Sequence, residues 1–201
     1  MINFFVKRLF DATVSFLGLV FLSPLLLIVA FLVKATSAGP VFFRQERVGK
    51  NGKIFKIWKF RTMSLAKPEF SAEQIRDFEK EDRDPRATPF GRFLRKSGLD
   101  ELPQLINILA GEMSFVGPRP FYSPRYELDP KLRSRLQIKP GLTSPNVISG
   151  GVKLSEQEIL RLDLEYVKKQ NFWLDLGIIF KTIFLYIPKL WKKDSKIGKS
   201  L

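Results

Sequence analysis

The feature that most constrains this chain is a long apolar run near its N-terminus. From Ala12 to Val33 the sequence ATVSFLGLVFLSPLLLIVAFLV carries no charged side chain. At about 1.5 Å per residue, a straight helix of this length would just cross a hydrocarbon core about 30 Å thick. A cleaved signal peptide fits poorly, because the apolar run is too long and lacks a small-residue cleavage site. The run therefore predicts a helix embedded in a membrane.

Two features of the run bear on how it enters the membrane. Pro24 removes a backbone hydrogen bond and clashes with the carbonyl of Val20, and Ser23 can bond back to the carbonyl of Leu19. Basic residues lie on both sides of the run: Lys7, Arg8, Lys34, Arg44, Arg47, Lys50 and Lys53. Positive charge at both ends favours a re-entrant hairpin with both ends in the cytosol. The residues alone leave this hairpin and a kinked spanning helix equally open.

Composition limits the chemistry that the rest of the chain can perform. The 201 residues include no cysteine and no histidine, which excludes disulfides, thiol nucleophiles, Cys/His zinc sites and histidine bases. Lys and Arg number 34 against 20 Asp and Glu, a net charge of +14. Such a charge predicts an anionic partner, either nucleic acid, a phospholipid surface or a phosphorylated substrate. Any catalysis must rely on carboxylates, Lys, Arg, Tyr, hydroxyls or an oxygen-ligated metal.

Beyond the apolar run, the patterns predict an α+β fold that is mostly helical. Residues 41–63 read as a β-hairpin whose turn contains Asn51-Gly52. Residues 65–89 predict a short surface helix and loop, and residues 155–170 predict an amphipathic helix.

A last helix is predicted over residues 171–193. Its apolar stripe comprises Phe172, Leu176, Ile179, Phe180, Ile183, Phe184 and Ile187. The stripe is either core or the buried side of an interfacial helix on anionic lipid. The second reading rests on aromatic and basic residues in and after it: Trp173, Tyr186, Lys189, Trp191, Lys192 and Lys193.

Residues 91–120 hold the strongest candidate site. A helical pattern runs over 101–109, and because Pro103 is tolerated only in a first turn, Asp100 and Glu101 lie at the helix N-terminus. An Asp in this place is usually a cap. Neighbouring basic residues favour phosphate chemistry instead: Arg92, Arg95, Lys96 and Arg119. Arg119, held between Pro118 and Pro120, suits bidentate phosphate binding, and a structural ion pair is the alternative.

Long ordered stretches resemble the bacterial sugar transferases, in particular the small monotopic phosphoglycosyl transferases. The resemblance covers KRLFD at 7–11, Ser23-Pro24, GPVFFRQERVGKNGKIFKIWKFRTM at 39–63 and DPRATPFGRFLRKSGLDELPQLINILAGEMSFVGPRP at 84–120. It implies transfer of a sugar 1-phosphate from a UDP-sugar to polyprenol phosphate, typically undecaprenyl phosphate, with release of UMP. That reaction is the first membrane step in building O-antigen, capsule, exopolysaccharide or glycoprotein glycans.

The resemblance also implies roles for individual residues. Asp100 is expected to form a covalent phosphosugar, Glu101 to act as metal ligand or electrostatic partner, and both to hold Mg²⁺. Ser23-Pro24 corresponds to the break of a re-entrant membrane helix. Phosphate contacts are expected from Arg95 and Arg119 beside Pro118, with Lys59 and Arg61 of the KFRTM strand as weaker candidates. Asp100 is ionised near pH 7, so this chemistry needs no histidine base.

We therefore expect a re-entrant helix over 1–36 and a cytosolic, membrane-associated catalytic domain over 37–201, at the inner membrane of a bacterium. The expected partners are a UDP-sugar, polyprenol phosphate and anionic lipids, with no nucleic acid; a homodimer stays open. One segment departs from the family: PGLTSPNVISGG at 140–151 stands where members commonly carry PGITGWAQVNGR. Two other readings remain, a membrane-anchored nucleic-acid- or lipid-binding protein without catalysis, and a membrane scaffold in which Asp100 is only a cap.

Overall fold

The computed structural model describes residues 2–64, 71, 74, 84–122 and 130–191. Its helices are α1 (Ile2–Thr36), α2 (Pro89–Ser97), α3 (Leu105–Ala110), α4 (Pro145–Ser149), α5 (Glu156–Lys169) and α6 (Phe172–Trp191). Its strands are β1 (Phe42–Val48), β2 (Ile54–Phe60), β3 (Ser114–Val116), β4 (Phe121–Tyr122) and β5 (Gly141–Thr143). The prediction of a mostly helical chain with a small sheet is confirmed. The helix and loop predicted for 65–89 lie largely outside the described residues.

Strands β1 and β2 form the predicted hairpin. They pair antiparallel from Phe42 opposite Phe60 to Val48 opposite Ile54. The turn between them contains Asn51 with φ 56° and Gly52 with φ 79°, a left-handed backbone that Asn and Gly adopt at low cost. Strand β4 adds to the other edge of β1, so the sheet order is β2-β1-β4, and β3 pairs with β5 in a separate parallel ladder.

Helix α1 lies along the rest of the protein by one face. Its buried or partly buried positions recur every three or four residues along nearly its whole length: Asp11, Ser15, Leu19, Leu22, Leu26, Val29, Ala30 and Val33. The other faces expose large apolar side chains: Phe5, Leu9, Phe16, Val20, Phe21, Leu27, Ile28 and Phe31. By length and composition, α1 is the one helix of the described residues apolar enough to cross a membrane.

The backbone of α1 stays helical through Pro24. The re-entrant break at Ser23-Pro24 stays a prediction, because a helix assigned as continuous can still bend at a proline. The hydroxyl of Ser23 donates to the carbonyl of Val20 at 2.7 Å, and not to that of Leu19 as predicted. Because Pro24 has no N–H to give to that same carbonyl, the serine replaces the missing hydrogen bond and the helix continues.

The N-terminal part of α1 is fastened to the protein by polar contacts. Arg8 donates to the carbonyls of Ile108 and Leu109 at 2.7 and 2.8 Å, where a cation suits the C-terminal end of α3. The buried carboxylate of Asp11 accepts from the backbone N–H of Phe115 at 3.2 Å. Lys7 forms an ion pair with Asp175 of α6. These residues of the KRLFD segment thus join α1 to α3, β3 and α6.

Three apolar clusters make the core of the described residues. The first joins β2 and α3 through Phe55, Ile57, Leu105, Ile108 and Met113. The second packs the C-terminal part of α1 against the sheet and α2 through Val29, Val33, Phe60 and Leu94. The third joins β3, α5 and α6 through Val116, Ile138, Tyr166 and Ile178.

The two C-terminal helices occur where they were predicted. Helix α5 begins with a capping box in which Ser155 and Glu158 exchange hydrogen bonds, a common helix start. Helix α6 buries Asp175 and Ile178 but exposes several members of the predicted stripe, including Phe180, Ile183 and Phe184. The stripe is therefore not simply core. The side chains of residues 186–191, and all of Lys192 and Lys193, lie outside what the structure describes.

Candidate active site

Asp100 and Glu101 lie in a short 3₁₀ helix, Leu99–Gln104, that continues into α3. Gly98, with φ 73°, ends α2 and begins this 3₁₀ helix, so the helix cap carries no side chain. Within the part of the chain that the structure describes, neither the Asp100 nor the Glu101 carboxylate accepts a hydrogen bond from a backbone N–H of this helix. Pro103 sits in the 3₁₀ turn, as expected of a residue without an N–H. The capping role that Asp usually plays at a helix start is thus absent here.

The Glu101 carboxylate sits between two cations. Its Oε1 atom lies 2.5 Å from Lys59 Nζ and 3.6 Å from an Arg119 guanidinium nitrogen. Burial acts to raise the pKa of Glu101, but the positive charges of Lys59 and Arg119 outweigh burial and the pKa lies below its ordinary value. Glu101 is therefore an anion at neutral pH, as Lys59 and Arg119 require.

Asp100 is more enclosed than its neighbour. It is 8% exposed, and burial together with the nearby Glu101 charge raises its pKa to about 6, against the opposing influence of Lys59, Arg95 and Arg119. At pH 7 the carboxylate still bears its charge in most molecules. A partly desolvated carboxylate is a better nucleophile than one fully surrounded by water.

A cleft opens beside the pair. Its lining residues are Arg47, Ile57, Lys59, Glu101, Gln104, Arg119, Pro120, Gly141 and Leu142. The cleft carries three cations and one carboxylate, so it suits a ligand with more than one negative charge. Glu101 lines this cleft and Asp100 does not, because successive residues of a 3₁₀ helix point about 120° apart.

Two polar lining residues, Arg47 and Gln104, were missed by the sequence analysis. Arg47 was treated only as a charge flanking the membrane run, yet it donates to Gln45 Oε1 at 2.6 Å and to the Pro120 carbonyl at 3.5 Å. The sequence analysis assigned no functional role to Gln104. Period-two alternation from Ile57 and Lys59, combined with the hairpin register, would have placed Arg47 on their face of the sheet.

Arg95 and Arg61 end up in different surroundings. Arg95 contributes positive charge near Asp100 while it donates to Asp84 at 3.3 Å. Arg61 is buried and donates to the carbonyls of Ala38 and Ser37, both at 2.7 Å, just beyond the end of α1. The structure thus brings Arg95 to the acidic pair and commits the Arg61 guanidinium to the end of α1.

Pro118 and Arg119 are held by a close backbone approach. Gly141 donates its N–H to the Pro118 carbonyl at 3.0 Å. A Cβ atom on Gly141 would lie 2.1 Å from the backbone nitrogen of Gly117, and one on Gly117 would lie 2.3 Å from the carbonyl oxygen of Lys139. Only glycine fits at both positions, which sets the distance between Pro118 and the cleft-lining residues Gly141 and Leu142. Pro118 itself is buried, whereas the side chain of Arg119 is 65% exposed.

A buried ion pair braces the segment that carries Arg119. Arg135 pairs with Asp163, and the two side chains are 3% and 0% exposed. The Arg135 guanidinium also stacks 3.9 Å above the ring of Phe121 and donates to the carbonyl of Arg119 at 3.5 Å. Asn146, from the divergent 140–151 segment, donates to Asp163 at 2.7 Å. The divergent segment is thus connected to the Arg119 turn through interior polar contacts.

The donor set matches one kind of metal. Among the described residues, no three or more acidic, cysteine or histidine side chains lie close enough together to hold a metal ion. Two adjacent carboxylates next to a cationic cleft suit Mg²⁺, which commonly takes one or two carboxylates and completes its shell with water and substrate phosphates. If Mg²⁺ binds at this site, Asp100 and Glu101 are the carboxylates that would hold it.

Comparison with known proteins defines the class. A model of the family described as bacterial sugar transferase matches residues 2–189. The chain therefore belongs to the bacterial sugar transferase family.

Individual relatives share this similarity over most of the chain. Exopolysaccharide production protein ExoY of Sinorhizobium fredii is 43% identical over 188 residues, covering 88% of this chain and 83% of that protein. UDP-glucose:undecaprenyl-phosphate glucose-1-phosphate transferase of Klebsiella pneumoniae is 42% identical over 195 residues, covering 91% of this chain and 40% of the relative. Undecaprenyl-phosphate galactose phosphotransferase of Salmonella typhimurium is 38% identical over 190 residues, with coverage of 89% and 40%. The chain spans about 40% of the length of these last two relatives.

Proposed function

We propose that this protein transfers a sugar 1-phosphate from a UDP-sugar to a polyprenol phosphate such as undecaprenyl phosphate, and releases UMP. The observation that carries the proposal is the placing of Glu101 between Lys59 and Arg119 at a cationic cleft, directly after Asp100 in the chain. Relatives named for glucose-1-phosphate and galactose phosphotransfer to undecaprenyl phosphate support it. The product would enter exopolysaccharide or another surface glycan.

The proposed chemistry has two displacement steps at one phosphorus. A carboxylate oxygen of Asp100 attacks the β-phosphorus, the bond from that phosphorus to the bridging oxygen breaks, and UMP departs. A phosphate oxygen of the polyprenol phosphate then attacks the aspartyl-phosphosugar, and the carboxylate of Asp100 is released. Neither nucleophile needs to lose a proton at neutral pH, so a chain without histidine can perform both steps.

The cations of the cleft reduce the electrostatic repulsion between the nucleophile and the donor. Anionic Asp100 must approach an anionic diphosphate, and Lys59, Arg47 and Arg119 offset that repulsion and the charge that develops on UMP. Arg95 adds positive charge on the side of Asp100. Asp100 and Glu101 would hold Mg²⁺, which when bound neutralises phosphate charge and activates the phosphorus toward attack.

We also propose that both ends of α1 lie on the cytosolic face of the inner membrane. Near its N-terminus, Arg8 and Asp11 contact α3 and β3, and near its C-terminus, Val33 packs against Phe60. Since both ends contact the same small domain, a helix with ends on opposite sides would pull that domain into the bilayer. Exposed apolar side chains on α2, α3 and α6, such as Phe93, Ile106 and Phe184, extend the surface available to lipid.

Cysteine labelling tests this topology. The natural chain lacks cysteine, so Asn3→Cys and Thr36→Cys each give one reporter, and Gln157→Cys on exposed α5 reports the side of the domain. In sealed vesicles, all three should react with an impermeant maleimide from the same side. Labelling of residues 3 and 36 from opposite sides would establish a spanning helix instead.

Release of UMP tests the activity. The full chain in detergent or nanodiscs is mixed with undecaprenyl phosphate, Mg²⁺ and a panel of UDP-sugars that includes UDP-glucose and UDP-galactose. UMP is expected from at least one sugar, to need the lipid acceptor for turnover, and to fall by about a thousandfold or more in Asp100→Asn. A folded chain that binds DNA with strong salt dependence and releases no UMP would favour the nucleic-acid reading.

A further inference from the structure

Gln104 has the properties of a ligand contact without a protein partner. The residue is 3% exposed and lines the cleft beside Glu101. Among the residues that the structure describes, the side-chain amide of Gln104 makes no hydrogen bond. Its nitrogen and oxygen atoms are nevertheless not completely buried. Buried amides are normally paired, because an unmade hydrogen bond costs about 1–3 kcal/mol. The amide of Gln104 therefore faces the cleft, where a bound ligand can supply the hydrogen bonds that the protein does not.

The place of Gln104 in the helix limits what that ligand group can be. In a 3₁₀ helix, side chains three residues apart lie on one face, so Gln104 falls beneath Glu101, about 6 Å along the axis. On the proposed function, Glu101 is next to the diphosphate of the donor. Groups about one helical turn from the diphosphate belong to the sugar rings bonded to it, the transferred sugar on one side and the ribose on the other.

The hydrogen-bonding chemistry of an amide also favours a sugar hydroxyl over a phosphate oxygen as the partner of Gln104. Phosphate oxygens only accept hydrogen bonds, and Arg47, Lys59 and Arg119 already supply donors with charge. A Gln side chain both donates and accepts, and so does a hydroxyl group. A neutral amide beside a cationic site adds no charge. It does distinguish a sugar that carries a hydroxyl at that position from a sugar that lacks it.

We propose that Gln104 is a specificity residue that binds a hydroxyl of a sugar ring flanking the donor diphosphate. This rests on the proposed function for the identity of the donor. The Arg47, Lys59 and Arg119 side chains would hold the charge of the donor, while Gln104 recognises its neutral part. Removing a hydroxyl from a site built to bond it leaves the amide unpaired, which is why such sites discriminate strongly.

The test compares three variants of the full chain. Gln104→Met keeps the length of the side chain and removes both hydrogen-bonding atoms, and Gln104→Glu keeps the shape but removes the N–H donor and adds a negative charge. Gln157→Met, an exposed glutamine of α5 outside the cleft, is the matched control. Calorimetry measures binding of UDP, UDP-glucose and UDP-galactose without the lipid, and UMP release gives KM and kcat. Thermal unfolding checks that each variant is folded.

Both Gln104 variants should weaken binding of the UDP-sugar by about tenfold, close to the effect of one hydrogen bond, while Gln157→Met leaves it unchanged. Weakening confined to the UDP-sugars assigns the hydroxyl to the transferred sugar, and equal weakening for UDP assigns it to the ribose. Unchanged binding of all three ligands by folded Gln104→Met and Gln104→Glu overturns the proposal. A wild-type protein that binds these ligands but never releases UMP contradicts the proposed function and leaves the binding comparison valid.

Discussion

Lys59 Nζ lies 2.5 Å from Glu101 Oε1, and this ion pair joins the end of β2 to the 3₁₀ helix that carries the acidic pair. The two side chains are 18% and 22% exposed, so the pair is neither a solvated surface contact nor a fully desolvated one. Asn107 supports the same junction, because its side chain accepts from Trp58 N–H at 3.0 Å and donates to the Lys56 carbonyl at 2.9 Å. The strand edge thus fixes where the acidic pair sits relative to Lys59.

Replacing Lys59 should damage the reaction far more than replacing a neighbour. Lys59→Met removes the cation that offsets burial, so the pKa of Glu101 rises and the cleft loses positive charge where phosphate should bind. UMP release should fall by about a hundredfold or more. Lys56→Met, an exposed lysine on the opposite face of the same strand, is the control and should stay within about twofold. Equal rates of UMP release by the two variants would show that Lys59 has no part in the reaction.

The buried pair of Arg135 and Asp163 should matter for stability. Asp163→Asn leaves the Arg135 guanidinium buried without its counter-charge, which typically costs about 3–5 kcal/mol in the free energy of unfolding. Glu165→Gln on the same helix breaks only the exposed pair with Lys169 and should cost less than about 0.5 kcal/mol. Denaturant unfolding in detergent measures both. Similar values for the two variants would show that the interior pair does not brace the Arg119 turn.

Gly141 should not tolerate a side chain. The Cβ atom of Gly141→Ala would lie 2.1 Å from the Gly117 nitrogen, so the strand ladder and the Pro118 turn must separate and both stability and UMP release should drop. Gly177→Ala is the control, since nothing lies within 4 Å of its Cβ position in α6, and alanine should stabilise that helix by about 0.5–1 kcal/mol. Wild-type unfolding and activity in Gly141→Ala would contradict the close approach.

Asp84 predicts a pH dependence of stability. Hydrogen bonds from the Arg86 side chain, with further help from Arg95, lower the pKa of Asp84 to about 2 in the folded protein, from an ordinary 3.8. Ionised Asp84 therefore stabilises the folded state. This stabilisation is complete above the pKa of Asp84 in the unfolded chain and is lost as the pH falls toward its pKa in the folded protein.

Asp84→Asn should therefore lower the free energy of unfolding by about 1 kcal/mol at neutral pH. Its difference from wild type should narrow between about pH 4 and pH 2. Denaturant unfolding at several pH values gives that difference directly. A difference that stays constant over this range would exclude the proposed charge interaction.

Some of this arrangement follows from local sequence and some does not. Asn51-Gly52 predicted the hairpin because only a left-handed turn closes it, and Pro103 placed Asp100 and Glu101 in a first turn. Lys59 and Arg61 of the KFRTM strand were both expected as candidate phosphate contacts, and alternate residues of a strand share one face. However, the strand ends at Phe60, so the alternation stops and Arg61 turns to the end of α1 instead.

The residues that sequence analysis missed depend on long-range packing. Arg47 reaches the cleft only through the register of β1 on β2. Gln104 is a neutral side chain at the end of the 3₁₀ helix, with no local signal of a ligand. The interior contact of Asn146 with Asp163 joins segments that no short pattern connects. These relationships become visible only when the chain is folded.

The role of Asp100 as the nucleophile is tested by the mass of the protein after incubation with its donor. The full chain is mixed with each UDP-sugar and Mg²⁺ in the absence of lipid, quenched and digested. We predict that one sugar adds the mass of a sugar phosphate to the peptide holding Asp100, that this mass disappears when polyprenol phosphate is added, and that Asp100→Asn does not acquire it. Release of UMP to lipid by a wild-type protein that never acquires the mass, or the same adduct on Asp100→Asn, would contradict Asp100 as the nucleophile.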